Sequence, residues 1–195
     1  IEQTDGQTIK FTSVVIGDET LSRASGSTSI DVISMRTELD DKFTVFDLKK
    51  DTRSWGEFSK KSEVFFYAHY PRLPESVASN ETRVLEGGTN DYLFGKAKAV
   101  AGQQQVCLQF KRVMAPLIVE VLDGDGRSYQ GDIEVSALIK NKGVQNLKDG
   151  SIVILDEKKY TAFNRFDNGV KQALNLLPQR IEKGTPFQVR LSNGV

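Results

Sequence analysis

The chain has 195 residues, 38% hydrophobic and 27% charged, with 16 Gly and 5 Pro; at about 150 residues per domain this is ordinary globular composition for one or two domains, and disorder, collagen and membrane spans are poor readings. Lys plus Arg equals Asp plus Glu, 26 against 26, with the signs interspersed, so no basic field exists to condense onto nucleic acid or anionic lipid. Cys107, His69 and Trp55 are single representatives of their types, which rules out a four-ligand Cys/His zinc site and any intramolecular disulfide.

The chain opens at Ile1, without an initiating Met, a charged n-region or an apolar h-region, and so reads as a processed or trimmed sequence with any targeting signal outside it. From there the dominant period is two. Ile9 and Phe11 alternate first, then Phe43 and Val45, then Val64, Phe66, Ala68 and Tyr70. Val106, Leu108 and Phe110 follow, then Leu117, Val119 and Val121, then Ile133, Val135, Ala137 and Ile139, and last Phe187, Val189 and Leu191. These segments read as half-buried strands.

Turn clusters separate them: Gly17-Asp18, Ser25-Gly26-Ser27, Glu86-Gly87-Gly88, Asp123-Gly124-Asp125-Gly126, Asp149-Gly150 and Asn193-Gly194. Such residues supply positive φ or local side-chain caps, and the spacing suits antiparallel sheets. No sustained run has apolar residues three and four apart behind a capped start, so helix content is expected to be low. Short turns near Pro74 to Ala78 and Asn168 to Leu174 are the best helical candidates. The segment Val64 to Pro71 is apolar on both faces, which predicts a central strand covered on both sides, or one facing a loop or second sheet, at the heart of the core.

A boundary is expected near Asp123 to Gly131, where the strand Leu117 to Leu122 runs into the most Gly/Asp-rich segment of the chain. The expected organisation is an N-terminal β-sandwich domain over residues 1–125 and a smaller C-terminal β domain over 126–195. The second piece is near the lower limit for a self-sufficient core, so it is open to being incomplete.

Candidate chemistry is sparse. Asp123, Asp125 and Glu134 fall at the first, third and twelfth positions of a calcium-loop spacing, but Arg127 takes the fifth and Ser128 stands where the sharp turn needs Gly; a solvated hairpin turn is the better reading. His69 as a general base and Cys107 as a nucleophile lie in strand-like runs without a motif that lowers a thiol pKa, so a packed imidazole and a small core hydrophobe are expected. Asp40-Asp41 and Asp156-Glu157 are adjacent, and neighbours in a strand point to opposite faces, so they read as turn or surface charge. Asn80-Glu81-Thr82 matches the glycosylation acceptor pattern, a match too short to carry weight. Trp55, Phe58, Tyr67, Tyr70 and Tyr129 are the rings available for a sugar-stacking platform, against their commoner fate in a core. No Gly-rich phosphate loop, HExxH or GxSxG is present. No catalytic residue, metal ligand or cofactor site is assigned.

Three segments together carry a resemblance. Asp91-Tyr92-Leu93-Phe94-Gly95-Lys96-Ala97 precedes Val106-Cys107-Leu108-Gln109-Phe110-Lys111-Arg112-Val113-Met114-Ala115-Pro116-Leu117, and Leu176-Leu177-Pro178-Gln179 comes much later. This order resembles the fimbrillins of Bacteroidales, the type V pilin superfamily. Phe66 to Pro71 is similar to the family's aromatic strand ending in Tyr-Pro, and Asp41 to Phe46 is a weaker echo of another of its strands. Arg112 replaces the family's usual His, and Pro116, where a basic residue is common, is expected to break or bulge its strand. The chain stops at Val195, where the family typically continues into further strands, which points to a truncated chain or a short member.

The resemblance implies an all-β protein of two antiparallel, transthyretin-like β-sandwich domains, exported as a lipoprotein to the cell surface and outer membrane and built into a fimbrium. Its implied partners are other fimbrial subunits, joined by strand exchange after a protease removes the first strand; a host or bacterial surface ligand is a further candidate, and the membrane is touched only through a lipid anchor absent from this sequence. A sandwich lacking one strand exposes unpaired backbone beside an apolar groove, and a neighbour's strand satisfies both. On this chain the first strand is expected at Thr8 to Ile16 and the cleavage point between Arg23 and Ala24. The alternative reading is a cell-surface module binding a glycan or host ligand; a secreted hydrolase has no positive sign in the sequence.

Overall fold

A computed structural model of the chain describes residues 6–16, 30–58, 60–75, 77–88, 90–117, 122–127, 129, 133–165 and 174–191. Among these the chain is all-β. In order the strands are β1 (Thr8–Val15), β2 (Val32–Thr37), β3 (Thr44–Asp47), β4 (Arg53–Ser54), β5 (Glu63–Tyr70), β6 (Thr82–Glu86), β7 (Leu93–Val100) and β8 (Gln105–Arg112). After these come β9 (Ala115–Leu117), β10 (Ile133–Lys140), β11 (Lys142–Asn146), β12 (Ile152–Ile154), β13 (Lys158–Arg165), β14 (Leu174–Leu176) and β15 (Phe187–Leu191). A single 3-10 turn, Trp55–Phe58, is the helical element among the described residues. The described residues around Pro74 form no helix, and of Asn168 to Leu174 only Leu174 is described, as the first residue of β14.

Seven strands form one sheet in the order β3-β2-β5-β7-β8-β1-β4. Its pairings are antiparallel apart from β1 on β8, which run parallel in register from Lys10↔Gln105 to Val15↔Phe110. In a flat sheet, five strand spacings would hold β3 and β1 roughly 24 Å apart. Yet the rings of Phe11 on β1 and Phe46 on β3 meet edge to face at 5.3 Å, and Phe11 also meets Phe66 of β5 at 4.9 Å. The sheet therefore curls until its two ends face each other, and the enclosed space is the main core. Period-two alternation fills it: Ile9 and Phe11, Ile33 and Met35, Val64, Phe66 and Ala68, and Val106, Leu108 and Phe110 are all buried there. Each such side chain contributes roughly 1.5–3 kcal/mol by leaving water.

One predicted pair is inverted. Phe43 and Val45 were expected to share a half-buried face, but Val45 is exposed, and it is Phe46, of opposite parity, that enters the main core. Phe43 is buried on the far side of the sheet with Leu73 and Leu147. Here two cores compete for one short segment, Phe43 just ahead of β3 and Phe46 within it.

The remaining strands form three small sheets, β13-β10-β15, β12-β11-β6 and β14-β9. Two of them cross the expected boundary at residue 125: β6 pairs with β11 from Thr82↔Asn146 to Glu86↔Lys142, and β9 pairs with β14 at Ala115↔Leu176 to Leu117↔Leu174. The strand break expected at Pro116 falls earlier: β8 ends at Arg112, Val113 and Met114 turn inward, and Pro116 itself lies within the short β9, opposite Asn175. Leu176 packs under β10 with Ile133, Val135, Ala137 and Ile139, while its neighbour Leu177 packs with Leu85, Val113 and Met114. Adjacent strand residues point to opposite sides, so β14 tacks two small cores together.

As its two apolar faces predicted, β5 is central. Val64, Phe66 and Ala68 face the main core, while His69 and Tyr67 face the other side, where Phe43, Leu147 and the β11–β12 turn lie.

Candidate assembly surfaces

β1 occupies a distinctive place. Ile9 and Phe11 make it part of the core, and its antiparallel neighbour β4 covers only Thr8 and Ile9. Beyond Ile9 one edge of β1 has no strand beside it among the described residues, while the other lies on β8 and closes with the Ile16 N–H donating to Phe110 O at 2.8 Å. Withdrawal of β1 would uncover the backbone edge of β8 and the apolar surface over Val106, Leu108 and Phe110. Arg23 and Ala24, the predicted cleavage point, lie outside the described residues, as does most of the predicted strand Leu117 to Leu122.

A second unfinished edge lies at β15. Among the described residues this strand pairs with β10 alone, Val189 opposite Val135 and Phe187 opposite Ala137. Cross-strand partners share a face of the sheet, and Val135 and Ala137 are buried, but Phe187 and Val189 are 47% and 48% exposed. The alternation read from sequence thus sets the face correctly, while among the described residues the cover over β10 does not extend across β15. A third apolar feature was not foreseen: Val84, Val144 and Val153 stand side by side across β6, β11 and β12, with Val84 64% and Val153 66% exposed.

The single-representative residues resolve differently. His69 is fully buried as a packed imidazole: its Nε2–H donates to Leu147 O at 2.9 Å, and its ring meets those of Phe43 and Phe94, each at 5.0 Å. Burial pulls its pKa down to about 4, against a smaller opposing effect of the Leu147 carbonyl and with Arg83 and Arg36 adding to the depression. Cys107 corrects its expectation as a core hydrophobe. It is exposed, because Val106 and Leu108 take the inward positions of β8 and the thiol falls on the solvent face opposite Thr12.

The rings meet the core fate that the sequence favoured over a sugar-stacking platform, Trp55 and Phe58 fully and the three tyrosines in part. Trp55 is buried, with its Nε1–H donating to Gln103 O at 2.8 Å, and Phe58 is buried against it. Tyr70 packs on the main core, Tyr129 on the β10 core, and Tyr67 beneath the guanidinium of Arg36 at 4.5 Å.

The acidic candidates serve the backbone. Asp123 Oδ1 accepts the N–H groups of Asp125 and Arg127, capping its own turn, and Glu134 stands on β10 beside Arg190. Asp40 Oδ2 accepts from Thr37 N–H and Oγ1–H, and Asp156 pairs with Lys140 at 2.6 Å.

Two inward arginines went unread in the sequence. Arg36 lies between Phe43 and Tyr67 and donates to the carbonyls of Thr37 and Lys148, and burial lowers its pKa. Arg83 donates to Gln145 Oε1 and Pro71 O. The signal was parity: Arg83 alternates in phase with the buried Leu85. In the family-like motifs, Asp91 just before β7 forms an ion pair with Arg112 at the end of β8. That pair joins two of the segments on which the resemblance rests.

Comparison with known proteins agrees with this geometry. The family model described as fimbrillin-like matches residues 12–194. The chain belongs to the fimbrillin-like family. A solved structure of a candidate cell adhesion protein from Bacteroides thetaiotaomicron is 32% identical to this fimbrillin-like chain, with a TM-score of 0.74, covering 95% of this chain and 82% of the other. Candidate cell adhesion proteins from Bacteroides ovatus and Bacteroides uniformis share the fold. Their TM-scores are 0.67 and 0.68 at 14% and 16% identity, over 96% and 95% of this chain and 84% and 80% of theirs. No curated protein sequence matches this fimbrillin-like chain.

Proposed function

We propose that this chain is a structural and adhesive subunit of a bacterial surface fimbria, without catalytic activity, joined to its neighbours by β-strand exchange. The observation that carries this reading is the position of β1: it supplies Ile9 and Phe11 to the core, yet it sits near one end of the sheet, with little antiparallel cover, immediately ahead of Arg23-Ala24 in sequence. A donated strand with the same alternation would restore both the ladder on β8 and the buried surface. The half-exposed Phe187 and Val189 on β15 supply a second apolar edge of the kind that strand addition covers. Family membership and the cell adhesion assignment of the relatives support a place on the cell surface. The subunit reaches it as an outer-membrane lipoprotein, held by an anchor outside this sequence.

Limited trypsin digestion followed by intact mass and size-exclusion chromatography tests the reading. Cleavage after Arg23 and growth of higher oligomers is the expected result, with Arg23→Gln remaining uncut there and monomeric. If the Arg23-Ala24 bond survives while other sites are cut, or if the cut chain stays monomeric, strand exchange at β1 is wrong.

A further inference from the structure

A cleft of about 290 Å³ opens beside the start of β6, where the loop after β5 meets the β11–β12 turn. Its walls are apolar: Leu73 and Leu147 are buried and Val77 is half-buried. Arg83 and Tyr92 complete it, with the guanidinium 4.7 Å from the centre of the Tyr92 ring. This volume lies at the small end of the range for ligand sites, and apolar walls with few polar groups are the usual composition.

The charge in this cleft is unbalanced. Arg83 donates from Nε and Nη2 to Gln145 Oε1, at 3.2 and 2.6 Å, and from Nη1 to Pro71 O at 3.2 Å. Both acceptors are neutral, and no carboxylate pairs with Arg83 among the described residues. A guanidinium carries five N–H donors, so one hydrogen on each terminal nitrogen is left over. Burial has pulled the Arg83 pKa down to about 10, with only the Tyr92 phenol opposing it. The one acid lining the cleft, Glu81, accepts the Ala78 N–H at 3.1 Å and makes no bond to Arg83, while Arg72 adds a second positive charge to the lining. Arg83 is half-buried, and a cation partly withdrawn from water and held only by neutral groups is short of the counter-charge that ordinarily accompanies burial.

We propose that this cleft is a binding site for a carboxylate borne on a compact apolar or ring-shaped body, with Arg83 as its anchor. Two oxygens of a carboxylate match two donors on one planar group, the arrangement in which arginine binds such anions most strongly. The body of the ligand covers Leu73, Val77 and Leu147. A phosphate dianion fits less well, because the apolar walls offer it few further donors. Two sources present this chemistry, the C-terminal residue of a peptide and an acidic monosaccharide. The site is separate from β1 and β15 and does not depend on strand exchange.

Calorimetric titration of the whole chain with N-acetyl-leucine and with N-acetylneuraminic acid, each beside its methyl ester, tests the proposal. At least one acid should bind in the millimolar range or tighter, and its ester at least about tenfold more weakly, as loss of a charge-assisted pair requires. N-acetyl-leucine alone would identify a peptide terminus as the source, and N-acetylneuraminic acid alone a glycan. Val77→Trp narrows the cleft while keeping Arg83, and should abolish binding while trypsin-induced assembly stays unchanged. Arg83→Lys, which keeps the charge and loses the fork, should weaken binding. Failure of both acids to bind, equal binding of acid and ester, or binding that survives Val77→Trp would overturn the proposal and leave the strand-exchange reading untouched.

Discussion

At the scale of single residues, His69 ties stability to pH. Its imidazole is enclosed by Phe43, Phe94 and the Leu147 carbonyl, and its pKa falls from the ordinary 6.5 to about 4. The unfolded chain therefore takes up this proton before the folded chain does. The stability it contributes is complete above about pH 6.5 and is lost as pH falls toward 4, on the order of 3 kcal/mol in all. Urea denaturation across that window should show the loss in the native chain and a shallower one in His69→Gln, which keeps a donor for Leu147 and cannot titrate. Equal slopes would mean that another group carries the dependence. Gly95 sets a second local limit. A Cβ there would stand 2.7 Å from the Phe110 ring, which is fully buried on the neighbouring strand. Gly95→Ala should cost about 1–3 kcal/mol through overpacking, read as a lowered urea midpoint at unchanged slope. Burial of His69 was legible because it lies in a run of apolar and aromatic residues, between Ala68 and Tyr70. Exposure of Cys107 was legible too, because the alternation of Val106, Leu108 and Phe110 already places the thiol on the opposite face with Gln109; expecting a core hydrophobe weighed residue type above phase.

At the scale of elements, period two was enough to place most of the strands, and the failures occur where an element has two neighbours to satisfy. Phe43, just ahead of β3, and Phe46 within it go to two different cores, and β15 keeps the alternation but lacks cover among the described residues. The parallel pairing of β1 on β8 was beyond reach for a related reason. Alternation reports which face of a strand is apolar and carries no information on the direction of its neighbour. The order of β7 and β8, by contrast, is held by a side-chain pair that both motifs display, Asp91 with Arg112. Both side chains are about four-fifths buried, and Asp91 Oδ1 has no partner of its own. Removing Arg112 alone would leave that carboxylate uncompensated. A double-mutant cycle with Asp91→Asn and Arg112→Gln should return a coupling of roughly 1–3 kcal/mol; a value near zero would show that the two residues act independently.

At the scale of the whole molecule, a division at residue 125 meets a structure in which the hydrogen bonding passes straight through it. β6 supplies one edge of the β12-β11-β6 sheet, and β9 pairs with β14. His69 and Arg36, both on the main sheet, each bond to a carbonyl in the turn at Leu147 and Lys148, and Arg83 holds Gln145, which is itself fully buried. The Gly- and Asp-rich segment that marked the boundary in sequence is a surface turn capped by Asp123. Turn chemistry records where the chain reverses, and it records a domain limit only when few contacts cross. With this many polar groups satisfied across the junction, separating the two parts would strand buried donors and acceptors on both sides, each at a cost of about 1–3 kcal/mol. The chain should then unfold as one unit. Trp55 fluorescence, which reports the main core, and hydrogen exchange at β10 should give the same denaturant midpoint. Two transitions, with β10 exchanging well before Trp55 changes, would instead establish the C-terminal part as a domain that folds alone.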